Sequence, residues 1–277
     1  MSLGLRYKND EKILEERVVN GVPLLVYPLL EKTGVVKHGF TTRLGGVSTG
    51  YCASMNISTT RGDDPAAVEE NKRRLAGAIG VKPEDMTFTH QTHTVHVAVV
   101  EEKDRGKRFL ETDGMVTDVP GICLVTFYAD CVPLYLVDPV KKVIGLSHSG
   151  WRGTVNRMGR VTIEKMQSVY GTDPGDVVAA IGPSICQDCY EVSEDVIEAF
   201  RKSFREDQWD QLFYRKENGK YQLNLWKANE IIFREAGVKP EHIAVTNVCT
   251  HCNPDILFSH RTTGEKRGNL SALLALK

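Results

Sequence analysis

Residues 123–148 read CLVTFYADCVPLYLVDPVKKVIGLSH and contain three apolar segments separated by short polar breaks. The segments 123–129, 134–138 and 143–147 are rich in β-branched and aromatic residues, which predicts three buried strands. The turn from Asp138 to Lys142 joins the second and third strands into a hairpin. Pairing within that hairpin would bring Cys131, at the rim of one strand, close to His148, at the end of the other.

The remaining pattern predicts an α+β fold with a mixed sheet. Apolar runs predict strands at residues 22–27, 35–41, 86–89, 95–101, 177–182 and 242–248, and amphipathic spacing predicts helices at residues 65–79, 155–170, 194–204 and 225–236. Strands and helices do not alternate strictly, which argues against a doubly wound fold. No linker-like stretch interrupts the chain, so residues 1–277 are predicted to form one domain. Glycine-rich nucleotide-binding fingerprints are absent from the sequence.

Composition narrows the class of protein. The 277 residues include 35 basic and 36 acidic side chains, and this balance favours neither a nucleic acid nor a membrane as partner. The sequence contains no 18-residue apolar run, and its polar start lacks the core of a signal peptide. Seven cysteines, an odd number, argue against a disulfide framework. We therefore expect a cytoplasmic protein with free or metal-bound thiols.

Three segments next to predicted strands could carry chemistry: one contains His90, His93 and His96, and the others contain Cys131 and His148. The sequence pattern does not decide which of the first three histidines faces a site, and the choice of His93 rests on the family resemblance given below. Two imidazoles and a thiolate can form a three-ligand catalytic zinc site. Cys131 and His148 could instead form a nucleophilic dyad. A buried Cys131 could also be a small apolar core residue, as most free cysteines are. The glycines of the turn after His148, residues 149–153, could serve that turn alone or let backbone amides approach a ligand.

Two further patterns are weaker. Arg43 lies in a Thr-Thr-Arg-Leu-Gly-Gly segment. This pattern is typical of a loop that holds an anion or of a simple hairpin turn. The pairs Cys186/Cys189 and Cys249/Cys252 have the internal spacing of a four-cysteine zinc site. Residues 190–248 separate the pairs, however, and this gap exceeds the usual zinc-ribbon gap of about 15–20 residues. The sequence therefore favours buried or loop cysteines over a shared site.

An ordered set of motifs along nearly the whole chain resembles the YlmD/YfiH family, most closely its YlmD subgroup. This family has been described as laccase-domain or polyphenol-oxidase-like proteins, and also as purine nucleoside phosphorylases with adenosine deaminase activity. The segments that carry the resemblance are HGFTTRLGGVS (38–48), MN (55–56), QTH (91–93), DG (113–114), ADCVP (129–133), HSGWRG (148–153), GPSI (182–185), YEV (190–192) and FSHR (258–261).

The resemblance implies a four-layered α/β/β/α sandwich like the catalytic domain of cytotoxic necrotizing factor. It also implies that His93, Cys131 and His148 are metal ligands, with zinc in the nucleoside enzymes and copper in the laccase description. The expected substrates are phosphate and the nucleosides adenosine, inosine, guanosine and methylthioadenosine. The chain departs from the family near its end, where Thr262 follows Arg261 and a Lys-Arg-Gly-Asn segment occupies residues 266–269.

The resulting hypothesis is a catalytic group of His93, Cys131, His148 and Asp130. Asp130 could move protons or orient a histidine. Phosphorolysis needs a cation for phosphate, for which the sequence offers Arg43 first and Arg152 second, while Asn56 could bind the base or sugar.

Three alternatives stay open. The first is a copper polyphenol oxidase, although eight histidines are few for a multicopper centre. The second is a Cys-His amide hydrolase that acts on cell-wall precursors. The third is a metal-storing or partner-binding protein without catalytic activity.

Overall fold

The computed structural model describes residues 3–277, which form two large β-sheets, one small sheet and eight α-helices. The strands are β1 Glu15–Val19, β2 Val22–Val26, β3 Val36–Thr41, β4 Met86–Thr89, β5 Val97–Val99, β6 Arg108–Phe109, β7 Gly114–Thr117, β8 Cys123–Tyr128, β9 Val132–Asp138, β10 Val143–Ser149, β11 Val178–Ile181, β12 Glu191–Val192, β13 Phe213–Arg215, β14 Tyr221–Leu223, β15 Ile243–Val245 and β16 Leu270–Leu276. The helices are α1 Pro28–Glu31, α2 Pro65–Ile79, α3 Trp151–Val155, α4 Met158–Tyr170, α5 Glu194–Ser203, α6 Trp209–Leu212, α7 Leu225–Glu235 and α8 His260–Thr263. No helix within residues 3–277 is long and apolar enough to span a membrane.

Both large sheets mix parallel and antiparallel pairs, which confirms the predicted α+β class with mixed sheets. The first has the strand order β1-β2-β3-β16-β8-β4-β6, with β4 parallel to both of its neighbours. The second has the order β15-β11-β9-β10-β7-β5, with parallel pairs at its two edges. Strands β12, β14 and β13 form the small antiparallel sheet. The four-layered order, the resemblance to cytotoxic necrotizing factor and the single domain over residues 1–277 stay predictions.

The central strands are apolar throughout because both of their faces are buried. Leu124 and Tyr135 belong to a core cluster shared by the two large sheets. Their chain neighbours Val125 and Leu134 point the opposite way, since successive strand residues alternate between faces. Val125 packs in the cluster that contains Leu75 of α2, and Leu134 packs in the cluster that contains residues of α4 and α7. Continuous apolar runs of this kind are expected for strands covered on both sides.

The predicted hairpin is confirmed, and it positions the candidate site. In the antiparallel β9–β10 pair, Asp138 lies opposite Val143 and Pro133 lies opposite His148. Cys131, immediately before β9, is therefore close to the end of β10. The Asp138 carboxylate accepts backbone N–H groups from the next turn, at 2.9 Å each, and so fixes the hairpin turn.

The structure contains several elements that were not predicted, mostly short ones: β1, β6, β7, β12, β13, β14, α1, α3, α6 and α8. Two further differences concern longer elements. The helix predicted at 155–170 is α4 and begins later, at Met158, because Arg157 has φ 62° and separates it from the short helix α3. The strand β16 was not predicted, although it lies between β3 and β8 in the middle of the seven-stranded sheet. Its apolar run, LSALLAL, contains leucine and alanine rather than β-branched residues, so local propensity does not mark it as a strand.

Candidate active site and metal centre

A cavity of about 600 Å³ opens where β8 ends, β9 begins and β10 ends. His93, Cys131 and His148 all line it, together with a set of aromatic and basic side chains. These three residues each offer one ligand atom, and the three atoms lie within 4.8 Å of one another. The structure thus brings together the three residues that the sequence nominated as metal ligands.

The backbone bends sharply around these residues, and their side chains lie close together. His93 and Asp130 have positive φ angles of 62° and 87°, and each therefore sits in a sharp local bend. Sγ of Cys131 lies 3.9 Å from Nε2 of His93, and the rings of His93 and His148 meet edge to face with centroids 4.9 Å apart. A Cβ atom at Gly150 would lie 3.1 Å from both Cys131 Sγ and His93 Cδ2, so any larger residue there would require these side chains to shift.

Asp113 positions both histidines. Its carboxylate accepts the backbone N–H groups of Thr92, His93 and Thr94 at 2.9–3.0 Å, which fixes the turn that presents His93. The same carboxylate lies 2.9 Å from Nδ1 of His148. With Nδ1 donating to Asp113, the other nitrogen of His148 is the one available to a metal. Of the two roles that the sequence offered to Asp130, the orientation of a histidine is therefore performed by Asp113.

The charges at the site favour a thiolate. Burial by itself raises the pKa of Cys131, but the charge of His148 and hydrogen bonds from His148 and His93 outweigh it and lower the pKa to about 6. Burial lowers the pKa of His148, but the nearby Cys131 and Asp113 raise it to about 9. Burial also raises the pKa of Asp113, yet the interaction with His148 and the backbone donors hold it well below its usual range.

The donor set fits zinc. Two imidazole nitrogens and one thiolate sulfur are common zinc ligands, and three protein ligands leave a fourth position open, as in catalytic sites. Asp113 supplies the carboxylate that usually supports a metal-binding histidine. The same donors could also hold a single copper ion.

Asp130 lines the cavity beside Cys131, but its carboxylate is engaged elsewhere. It accepts the hydroxyl of Thr250 at 2.6 Å and the backbone N–H of Arg261 at 2.7 Å. It therefore joins three chain segments at the cavity wall. Among residues 3–277, no hydrogen bond links its carboxylate to a histidine ring.

Of the three substrate-binding candidates, only Arg152 lines the cavity, where its guanidinium stacks on Trp151 at 4.4 Å. Arg43 lies outside it: Nε donates to the Ala53 carbonyl at 3.0 Å, and a terminal nitrogen donates to the Pro254 carbonyl at 2.8 Å. Asn56 is fully buried and also outside the cavity lining. It donates to Asp63 at 2.7 Å and accepts the backbone N–H of Asn269 at 3.1 Å, so its amide holds loops together.

The sequence did not nominate two arginines that do line the cavity, Arg61 and Arg267. The Nε atoms of both are buried and have no hydrogen-bond partner among the described residues. Burial lowers the pKa of Arg267, and the like charge of Arg61 adds to this effect. A terminal nitrogen of Arg61 pairs with Glu265 at 2.7 Å, and one of Arg267 donates to the Gly268 carbonyl at 3.2 Å. Two guanidinium groups that line one cavity are suited to binding an anion. No sequence signal identifies the pair, because its members are far apart in the chain and lie in irregular loops.

Comparisons with known proteins give three results. Residues 37–277 match the family model described as multi-copper polyphenol oxidoreductase laccase. The chain is 35% identical over 246 residues to purine nucleoside phosphorylase YlmD of Bacillus subtilis, covering 86% of this chain and 88% of that protein. It is also 35% identical over 239 residues to adenosine deaminase RL5, from an unknown prokaryotic organism, covering 83% of this chain and 90% of that protein.

A solved structure shows the same fold. The crystal structure of YlmD from Geobacillus stearothermophilus matches with a TM-score of 0.89 and 31% sequence identity. That match covers 96% of this chain and 100% of the other.

Proposed function

This chain belongs to the family described as multi-copper polyphenol oxidoreductase laccase, and we propose that it is a zinc-dependent purine nucleoside phosphorylase that also deaminates adenosine. The observation that carries the proposal is the position of the His93–Cys131–His148 group in a cavity that is also lined by the arginines Arg61 and Arg267. The names of the relatives support it, since they include purine nucleoside phosphorylases and an adenosine deaminase. The proposed nucleosides are adenosine, inosine, guanosine and methylthioadenosine.

His93, Cys131 and His148 would hold the zinc ion, and Asp113 would keep the two histidines in position. A zinc ion with three protein ligands supplies Lewis acidity, which lowers the pKa of bound water to about 7. The cavity is large enough for a nucleoside, since ligand pockets usually measure about 300–1,000 Å³. Phe127 and Tyr190 line it and offer aromatic faces against which a purine could stack.

In phosphorolysis, a phosphate oxygen attacks C1′ of the ribose, the bond from C1′ to the base breaks, and the base takes up a proton. We assign phosphate binding to the guanidinium groups of Arg61 and Arg267, which line the cavity and can form charge-assisted hydrogen bonds with an anion. Arg152, at the exposed side of the cavity, is a secondary contact. Arg43 and Asn56 are omitted from the proposed site because neither lines the cavity, and their side chains hold loops outside it. Asp130 is kept as a candidate for proton transfer because it lines the cavity beside Cys131.

The test is product analysis by mass spectrometry of reduced, zinc-quantified protein given adenosine with and without phosphate. We expect inosine without phosphate, and free base with ribose 1-phosphate when phosphate is present. The Cys131→Ala variant should lose both activities, whereas the control Cys52→Ala, at a buried cysteine outside the cavity, should keep them. Absence of every product from zinc-loaded wild type would overturn the proposal, and so would full activity in Cys131→Ala.

One observation favours a second candidate, a cysteine hydrolase that acts on amides. Interactions with His148 and His93 lower the pKa of Cys131, and His148 in turn contacts the Asp113 carboxylate. This order of residues resembles a Cys-His-Asp triad. That enzyme would keep its activity in chelator and would form a covalent adduct on Cys131. The nucleoside enzyme would be inactivated by chelator and recover with zinc, so the same preparation separates the two candidates.

A multicopper oxidase is less well supported by the residues present. Among residues 3–277, only two groups have the spacing of metal ligands, and only His93 and His148 contribute imidazoles to them. The free state of the seven cysteines supports the further proposal that the enzyme acts in a reducing compartment, the cytoplasm.

A further inference from the structure

Four cysteines outside the cavity form a second cluster. The Sγ atoms of Cys186, Cys189, Cys249 and Cys252 lie within 4.8 Å of one another. Sγ of Cys189 is 3.5 Å from Sγ of Cys252, and none of the four is in a disulfide. The sequence favoured separate buried or loop cysteines, but the structure brings the two pairs together.

Parallel strand pairing explains how distant pairs meet. Strands β11 and β15 are parallel neighbours, with Ile181 opposite Val245. The segments that follow them continue side by side, as an isolated parallel bridge joins Ser184 to Cys249. Neighbouring parallel strands end at the same edge of a sheet, so the Cys-x-x-Cys turn after each strand reaches the same place. The length of chain between the strands has no influence on this arrangement.

The local backbone suits sulfur ligands. The N–H of Cys186 donates to Sγ of Cys249 at 3.2 Å, an interaction that favours a sulfur bearing negative charge. Gln187–Cys189 forms a single 3₁₀ turn, in which the N–H of Cys189 donates to the Cys186 carbonyl at 3.1 Å. Lys8 adds a positive charge near the cluster: its ammonium group pairs with Asp188 at 2.6 Å. The pKa of Lys8 is raised mainly by Asp188 and also by Cys186 and Cys252.

We propose that these four cysteines bind a structural zinc ion. Four thiolates at about 2.3 Å from one tetrahedral ion lie about 3.8 Å from each other, which agrees with sulfurs grouped within 4.8 Å. A disulfide would need a separation of about 2.05 Å. All three candidate ligands of the catalytic metal belong to the other group, so the two sites share no residue.

The zinc would hold together part of the cavity wall. Ile185 and Tyr190, which flank the first cysteine pair, both line the cavity. Thr250, within the second pair, donates its hydroxyl to Asp130 at 2.6 Å. Metal binding here would therefore fix two loops that shape the substrate cavity. None of the four cysteines would bind the catalytic metal.

The first test is zinc stoichiometry in reduced protein. The count for Cys131→Ala does not depend on the proposed function, whereas the second equivalent in wild type does. We expect two equivalents in wild type and one in Cys131→Ala, where only the four-cysteine site is complete. X-ray absorption of Cys131→Ala should show sulfur neighbours alone, at about 2.3 Å. As a control, the double variant Cys131→Ala/Cys52→Ala should still bind the one zinc equivalent of the four-cysteine site. Zinc-free Cys131→Ala after reduction and zinc addition would overturn the proposal, as would native protein with disulfides among the four cysteines.

The second test removes the proposed ligands. The double variant Cys189→Ala/Cys252→Ala should lose one of two zinc equivalents and unfold at a lower temperature than wild type. If it does not fold, cobalt titration of Cys131→Ala replaces it, since cobalt bound to four thiolates should give intense sulfur-to-metal absorption. A double variant that retains two equivalents, or cobalt binding without that absorption, would contradict the proposal. Failure of the nucleoside assay would leave both measurements valid.

Discussion

Nδ1 of His148 lies 2.9 Å from Oδ1 of Asp113, and both side chains are buried. The same carboxylate accepts the backbone N–H of His93 at 3.0 Å. One side chain therefore positions two of the three candidate ligands. Its Asp-Gly segment is among the motifs that carry the family resemblance, but its spacing from the histidines does not identify it as part of the site.

The change Asp113→Asn should weaken zinc binding at the catalytic site by about 10- to 100-fold, the usual effect of losing a carboxylate behind a metal-binding histidine. A carboxamide has only one acceptor oxygen, so it cannot serve both His148 and all of the backbone donors of residues 92–94. Zinc competition with a chromogenic chelator measures the change.

Asp138 provides the matched control because it is also a fully buried aspartate that accepts backbone N–H groups, but at the opposite end of the hairpin. Asp138→Asn should lower thermal stability and leave zinc affinity at the catalytic site unchanged. Equal zinc affinities for the two variants would show that Asp113 does not support the metal ligands.

The change Gly150→Ala should reduce zinc affinity and turnover more than it reduces stability. The new Cβ would lie 3.1 Å from Cys131 Sγ and from His93 Cδ2, so both ligands would have to move by a few tenths of an ångström. Gly153→Ala is the control, because its Cβ would have contacts of 3.5 Å or more. Parallel zinc titrations and melting curves separate the two effects, and wild-type zinc affinity in Gly150→Ala would refute this account.

The change Arg267→Gln should raise the KM for phosphate by about 10- to 100-fold, the range expected for losing a hydrogen bond from a charged group. Adenosine deamination without phosphate should be much less affected, because the guanidinium is assigned to the anion. Steady-state kinetics at varied phosphate concentration measure the KM for wild type, Arg267→Gln, Arg61→Gln and the double variant.

Arg43→Gln is the informative comparison for this prediction. Since Arg43 contacts the Ala53 and Pro254 carbonyls outside the cavity, its loss should lower stability and leave the KM for phosphate unchanged. An increase in that KM for Arg43→Gln alone would restore the sequence-based assignment and contradict the structural one.

His38 should make the fold sensitive to mild acid. Its Nε2 accepts the backbone N–H of Tyr27 at 2.8 Å, and burial lowers its pKa from 6.5 to about 4, with Glu31 opposing and Arg17 reinforcing this shift. Between these values the unfolded chain binds more protons than the folded one, so stability falls as the pH decreases. The full contribution is present above about pH 6.5 and amounts to about 3 kcal/mol.

Urea unfolding of wild type and His38→Gln between pH 7 and pH 4 tests this effect. The variant should be less stable at pH 7, and its stability should decline less steeply with acid. His96→Gln, at an exposed histidine, is the control and should follow wild type. Parallel curves for all three proteins would mean that His38 does not govern the response.

Much of the fold can be predicted from the sequence because it depends on local pattern. The runs in residues 123–147 specified β8, β9 and β10, and the Asp138 turn specified the register that brings Cys131 close to His148. Strand β16 was not recognised, because its leucines and alanines fill a position between β3 and β8 that only the assembled sheet creates.

The sequence by itself determined the ligand types and their local spacing: His93, Cys131, His148 and the two Cys-x-x-Cys pairs. Tertiary structure alone decided that Asp113 supports the histidines, that Arg61 and Arg267 share the cavity while Arg43 does not, and that the cysteine pairs meet. The physical reason is that periodicity encodes which side of an element is buried, whereas the order of strands within a sheet determines which distant residues become neighbours.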